Sequence, residues 1–302
     1  MLKDDILGTE TPAAVSVLDS ALSALSNIAK TRTVEIDLPI LNCKVLVHPV
    51  NGSEELRLRT LKSSGSTFIH SFNQVILDHC KFDGIDFDDL KDFEDHLTIP
   101  DKSILVAALL DATFTTLPER LIKCPNCGKT DTYSPEPSAL FHDDTIKKTW
   151  EEKEDFRTFE IKSEIVPGVT IVYEMPTETD RSTVVDEKDN AALRDNLEEN
   201  NQLLNQIEMF CVYIKRMEIQ NGEEIIILED KLELLIPTIK KMPMELQAKL
   251  LDDQTLKQFV DYNPTFYLDL TCSNALCSKK DFKWDDIQPE QDFFRKTLSV
   301  YN

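Results

Sequence analysis

Two cysteine pairs far apart in the chain constrain its fold more than any other feature: Cys124-Pro-Asn-Cys127-Gly128 and Cys272-Ser-Asn-Ala-Leu-Cys277. Two residues between the first sulfurs let both point at one ion, and four between the second pair stay within the spacings that metal hairpins use. Cys124, Cys127, Cys272 and Cys277 together form a four-thiolate set for one structural Zn2+, closed to substrate. Between the pairs lie 144 residues, from 128 to 271. A shared ion ties the middle of the chain to its end and encloses that segment as a unit. The competing readings are reduced thiols in two hairpins, or a redox Cys-x-x-Cys. The redox motif needs a strand-to-helix setting that the flanking residues do not supply. Cys43, Cys80 and Cys211 fall on apolar positions and read as small buried hydrophobes.

At 302 residues the chain can bury a sizeable core and has room for about two domains. An apolar share of 41% with 29% charged residues is that of an ordinary soluble globular protein. No window holds enough consecutive apolar residues to span a bilayer. The opening Met1-Leu-Lys-Asp-Asp has no apolar signal core, so synthesis in a cytosol is expected. An odd count of seven cysteines then favours thiols and metal ligands over disulfides. The formal charge of −22 repels phosphate backbones, and no compensating basic patch stands out, so nucleic acid is not an expected partner. Basic or mixed protein surfaces are.

Along the chain, Val15, Leu18, Leu22, Leu25 and Ile28 recur at helical spacing behind Thr11 and Pro12, which predicts an amphipathic helix over 12–30. Alternation predicts strands over 33–38 and 44–50. Asn51-Gly-Ser-Glu-Glu then opens a helix to about Lys62, followed by a second over 68–80. An apolar helix is expected over 104–114, introduced by residues 100–103. Pro167-Gly168 between alternating apolar runs predicts a hairpin of 156–166 with 169–175. Further helices are expected over 186–217, 230–241 and 244–259. The second cysteine pair sits between strands at 266–270 and 282–284, and Pro289 begins a terminal helix. The fold class is therefore α+β: mixed helices and short antiparallel strands, with a zinc-ribbon-like site joining the middle and C-terminal parts. Domain boundaries are read at 1–32 (docking arm), 33–123 (N-terminal α/β domain) and 124–302 (zinc-stapled region).

Catalytic signals are sparse. The five histidines are scattered, and with seven glycines the chain has no phosphate-cradling loop. The acidic run over 83–95 lacks the pattern of a calcium loop and reads as a solvated face. No enzyme is expected. In the helix over 186–217, Leu193, Leu197, Asn200, Leu204, Ile207, Cys211 and Ile214 form a seam. It either self-associates as a short coiled coil or docks on its own domain.

The order of these motifs resembles the baseplate hub family of contractile-tailed, T-even-like bacteriophages. The likeness covers most of 35–297. It is carried by Leu38-Pro39, by Lys44-Val-Leu-Val-His-Pro49 with Gly52-Ser-Glu-Glu55-Leu56, and by the apolar helix ahead of Cys124-Pro-Asn-Cys127-Gly128. Met175-Pro-Thr-Glu178 and Cys272…Cys277 followed by Asp292-Phe293-Phe294 complete it. The second pair's four-residue spacing, with no glycine after Cys277, departs from the pattern, and the N-terminal and long helices look like additions. The resemblance implies a non-enzymatic component of the tail baseplate, made in the host bacterial cytoplasm and placed in the virion, with other baseplate or tail proteins as partners. The alternatives are an assembly chaperone absent from the virion, or a zinc-ribbon protein that binds nucleic acid.

Overall fold

The computed structural model describes residues 32–52, 54, 66–142, 160–195, 210–229, 232–261 and 263–299. The helix expected over 12–30 lies outside them, as does most of the one expected to reach Lys62. The start of the latter is described: Asn51 Oδ1 accepts from the Glu54 amide at 3.1 Å, and a Glu54 carboxylate oxygen accepts from the Asn51 amide at 3.3 Å. This reciprocal pair is a capping box, which satisfies amides that the first helical turn leaves free.

The first core is built around helix α3 (Ile99–Thr113), which follows α1 (Ser66–His79) and α2 (Leu90–His96). The helix starts earlier than the sequence predicts because Thr98 caps it, its hydroxyl accepting from the Asp101 amide, with Pro100 in the first turn. Ile104, Leu105, Val106, Leu109 and Leu110 are almost wholly buried, so α3 is apolar all round, as an interior helix must be. Each such side chain contributes about 1.5–3 kcal/mol on burial. Strands β1 (Val34–Leu38), β2 (Cys43–Val47) and β3 (Cys80–Phe82) form an antiparallel sheet in that order against it. The Asp101 carboxylate, buried at the head of α3, accepts from the amides of Ile40 and Leu41 and so fixes the turn between β1 and β2.

Two further hairpins follow the same logic of short alternating strands. One pairs β4 (Arg120–Lys123) with β5 (Thr130–Tyr133), and the other pairs β10 (Leu268–Thr271) with β11 (Asp281–Trp284). The second returns the chain to the first core, where Phe266, Leu268, Leu270 and Ile287 join Leu38, Val45 and Ile122. Helix α8 (Pro289–Ser299) completes that core. Its Phe293 and Phe294 stand 5.5 and 4.9 Å from the ring of Phe72.

The residues between build a second core. Strands β6 (Ile161–Val166), β7 (Val169–Tyr173), β8 (Ile214–Asn221) and β9 (Glu224–Glu229) form an antiparallel meander in sequence order. Helices α5 (Leu232–Lys241), α6 (Met244–Asp252) and α7 (Gln254–Asp261) follow. Ile171, Tyr173, Met217, Leu235, Leu250 and Phe259 are buried together there. Helix α4 (Glu178–Asp195) spans both cores. Its Glu178 meets Lys102 of α3, and its Val184 packs in the second.

The fold is α+β, as the pattern predicts. Two helices need correction. The one expected over 186–217 begins at Glu178, and its predicted end is strand: Ile214–Asn221 pair with β7 and β9. Cys211 and Ile214, the last two seam positions, are buried in the second core and cannot serve a partner copy. Positions 197, 200, 204 and 207 of that seam lie outside the described residues. The helix expected over 244–259 is broken at Asp253, whose carboxylate accepts from the Thr255 amide at 3.1 Å and starts α7 afresh.

Candidate metal centre

Each cysteine pair stands at the tip of a hairpin. Cys124 and Cys127 occupy the connection of β4 to β5, and Cys272 and Cys277 that of β10 to β11. In the first tip the Cys124 amide donates to Lys129 O at 2.8 Å and the Gly128 amide to Cys124 O at 2.9 Å. The bend needs a left-handed residue at its end, and Gly128 supplies it with φ +75°. The second tip repeats the plan with a longer loop. The Cys272 amide donates to Lys280 O at 2.9 Å and the Cys277 amide to Asn274 O at 3.0 Å.

The tips face each other. All four sulfurs lie within 4.8 Å of one another. Cys127 and Cys272 sulfurs are 3.6 Å apart and those of Cys124 and Cys277 3.9 Å. A disulfide requires about 2 Å, and all seven cysteines are free thiols. In a tetrahedron with metal–sulfur bonds of about 2.3 Å, neighbouring sulfurs stand about 3.8 Å apart. The two closest approaches match edges of such a tetrahedron, and the four sulfurs are grouped tightly enough to hold one metal ion.

Bonds between the hairpins hold this approach. Asn126 Nδ2 donates to Lys279 O at 2.9 Å. Ser273 Oγ donates to Asp131 at 2.7 Å, and Lys129 Nζ also reaches Ser273 Oγ. Lower down, Tyr133 OH donates to Thr271 O at 3.1 Å, and its ring meets Phe282 edge-on. At the base Arg120 forms an ion pair with the buried Asp292 of α8 and stacks 4.8 Å from the Trp284 ring.

The donors also fit a cation electrostatically. The Lys129 amide, aided by Asn274, lowers the Cys127 thiol to about 6. The Asn274 amide favours a Cys272 thiolate, but burial and the sulfurs of Cys127 and Cys124 outweigh it and push this thiol up to about 12. Burial raises Cys277 as well. Neighbouring thiolates thus oppose one another until a cation lies among them, and a bound metal deprotonates its thiol ligands. Cys124, Cys272 and Cys277 are buried, and only Cys127 is exposed.

The structure brings all four predicted ligands together. It leaves Cys43, Cys80 and Cys211 apart from them, packed in or against the two cores. His142 is not a ligand: its ring stacks on Tyr267 at 3.9 Å. The sequence reading missed β4 and β5 and the bracing residues Asn126, Lys129, Asp131 and Ser273. The β-branched and aromatic residues Thr130, Thr132 and Tyr133 are the signal for the strand, whereas nothing local marks the cross-hairpin bonds.

No protein-family model, curated protein or solved structure matches this chain. Among the described residues no helix is long and apolar enough to cross a membrane. A cleft beside α3 is lined by Phe68, Lys102, Arg181, Glu290 and Phe294. Its Lys102 pairs with Glu178, and Arg181 with Glu178 and Glu290.

Proposed function

We propose that the chain is a zinc-stapled, non-catalytic structural component of a contractile phage tail baseplate, in its hub region, acting through protein–protein contacts. The observation that carries the staple is the convergence of four thiols, grouped tightly enough to hold one metal ion, on two braced hairpins. Zinc is the ion assigned because it takes four thiolates in a closed tetrahedron without redox chemistry. Such a site adds stability and orientation, with no open position for a substrate. The baseplate assignment rests on the motif order described above, and the −22 charge supports docking against basic or mixed protein surfaces.

Two measurements test this reading. Metal analysis with thiol titration is expected to give one zinc per chain and four protected cysteines; zinc-free protein with all thiols reactive discards the staple. Mass spectrometry of purified particles is expected to find the chain in the tail. Its presence in infected lysate alone assigns it instead as an assembly chaperone. The zinc-ribbon alternative draws on Lys123, Lys279, Lys280 and Lys283 beside the cysteine tips. It predicts steeply salt-dependent binding to DNA or RNA.

A further inference from the structure

We propose that strand β9 is a docking edge that accepts an extended segment of another protein, β-branched in its middle and basic at its ends. The inference does not depend on the baseplate reading, because it stands on the second core alone.

Among the described residues β9 pairs only with β8, so its outer edge is open. Ile225, Ile226 and Ile227 are 63, 45 and 52% exposed. Their alternation shows that both faces of the strand are bare. Ile226 lies opposite Ile219 on the side of the second core, while Ile225 and Ile227 lie opposite Gln220 and Glu218 on the other side. An open apolar edge is a template for strand pairing, and proteins ordinarily blunt it with lysine, proline or a bulge. The opposite edge of this sheet is blunted that way: β6 carries Lys162 and its register shifts between Glu164 and Val166. Strand β9 has no lysine or proline and pairs with β8 in unbroken register.

The hairpin geometry says which backbone groups are offered. Asn221 and Glu224 close a two-residue turn with Gly222 at φ +67°. In such a turn the closing pair exchanges hydrogen bonds, so Glu224, Ile226 and Leu228 bond inward to β8. Ile225 and Ile227 then direct their N–H and C=O groups outward. That is the arrangement an added strand uses.

Charge selects the occupant. Glu223 and Glu224 are exposed at one end of the strand, and the sequence closes the other with Glu229-Asp230. A second copy pairing antiparallel with Ile225 opposite Ile227 would set Glu223 opposite Glu229 at both ends. Like charges directly opposite one another destabilise a strand pair. A segment ending in lysine or arginine meets the same groups favourably.

The test uses the full chain and a short fluorescent peptide of alternating valine and threonine with two lysines at each end. A counterpart ending in glutamates serves as control. The lysine peptide is expected to bind at least tenfold tighter than the control and to slow amide exchange at Ile225 and Ile227. Ile227→Pro removes an outward N–H without touching the β8 ladder, and proline is tolerated at such edge positions. It is expected to lose at least tenfold in binding while the exchange protection of β7 and α3 stays unchanged. Ile225→Lys with Ile227→Lys is a second variant, expected to lose binding through charge. The proposal is overturned if neither peptide binds, or if both bind alike. Binding that survives both variants also overturns it, as does a dimer in sedimentation that Ile227→Pro dissociates, since the occupant is then a second copy.

Discussion

Lys102 of α3 and Glu178 of α4 meet at 2.5 Å, with side chains 3% and 0% exposed. The pair joins the helix at the centre of the first core to the helix that enters the second. Asn73 donates to the same carboxylate at 3.2 Å and to Glu94 at 2.8 Å, and His70 also contacts Glu94. Ladder bonds sit beside it: the Glu178 amide donates to Leu97 O at 2.9 Å and the Ile99 amide to Pro176 O at 3.1 Å.

Removing one member of a buried ion pair leaves the other charge without compensation, which costs about 3–5 kcal/mol. Glu178→Leu, which strips the buried Lys102 of its carboxylate, is expected to destabilise by that amount in urea unfolding; Lys102→Met is expected to cost less, because Glu178 keeps Arg181 and Asn73. The double variant is expected to recover most of the loss, because Asn73 keeps Glu94 and Arg181 keeps Glu290 as partners. Strict additivity of the two single losses would show that the pair is not coupled.

Asp101 gives the stability a pH dependence. Burial pushes its carboxyl up to about 6, against the opposing pull of the Leu41 and Ile40 amides and Thr98. The native state therefore holds this proton more tightly than the unfolded chain does. The contribution is fully present below about pH 4 and is lost as pH rises through about 6, a change of about 3 kcal/mol. Asp101→Asn cannot titrate. The stability difference between the parent and this variant is expected to shrink by about that amount from pH 4 to pH 7. A difference that stays flat over this range excludes the assignment.

The ligands were legible because their chemistry is short-range: Cys124 and Cys127 announce a metal turn by spacing alone. The opposite hairpin required only two more cysteines and flanking alternation. The strand Ile214–Asn221 was less legible, since Cys211, Ile214 and the preceding leucines also fit a helical repeat. The pairing of Ile171 with Met217 and the turn at Gly222 decide the matter in favour of sheet. Periodicity weighs a segment alone, and tertiary pairing overrides it. The partnership of Lys102 and Glu178 had no local signal at all, because it links residues 76 apart.

Gly128 offers a narrow test of the first cysteine tip. A Cβ there would meet nothing closer than Lys123 Cε at 3.6 Å, so space is available and only the backbone conformation resists. Gly128→Ala is expected to cost about 1–2 kcal/mol, the penalty of a left-handed L-residue. Weaker metal retention in competition with a chromophoric chelator should accompany the loss. Gly52 is a fitting control, with no positive φ and open space around it. Equal effects at both sites would mean that the conformation at 128 is not what matters.

Metal removal should open the tips and leave the cores standing. In the proposed staple the ligand loops are held by the metal and by a few exposed bonds, such as those of Ser273 with Asp131. The strands beneath them are held differently. Leu268 and Leu270 on β10, Ile122 on β4 and Phe293 on α8 are buried in the first core with α3. Arg120 and Asp292 tie the base of the first hairpin to α8. Apolar burial of this kind does not depend on the ion. Chelation, or Cys272→Ser, is thus expected to speed amide exchange over 124–129 and 272–280 while α3 retains its protection. Trp284, stacked under Arg120, should keep its fluorescence maximum. Loss of α3 protection together with the tips would instead make the metal a condition for folding the whole first core.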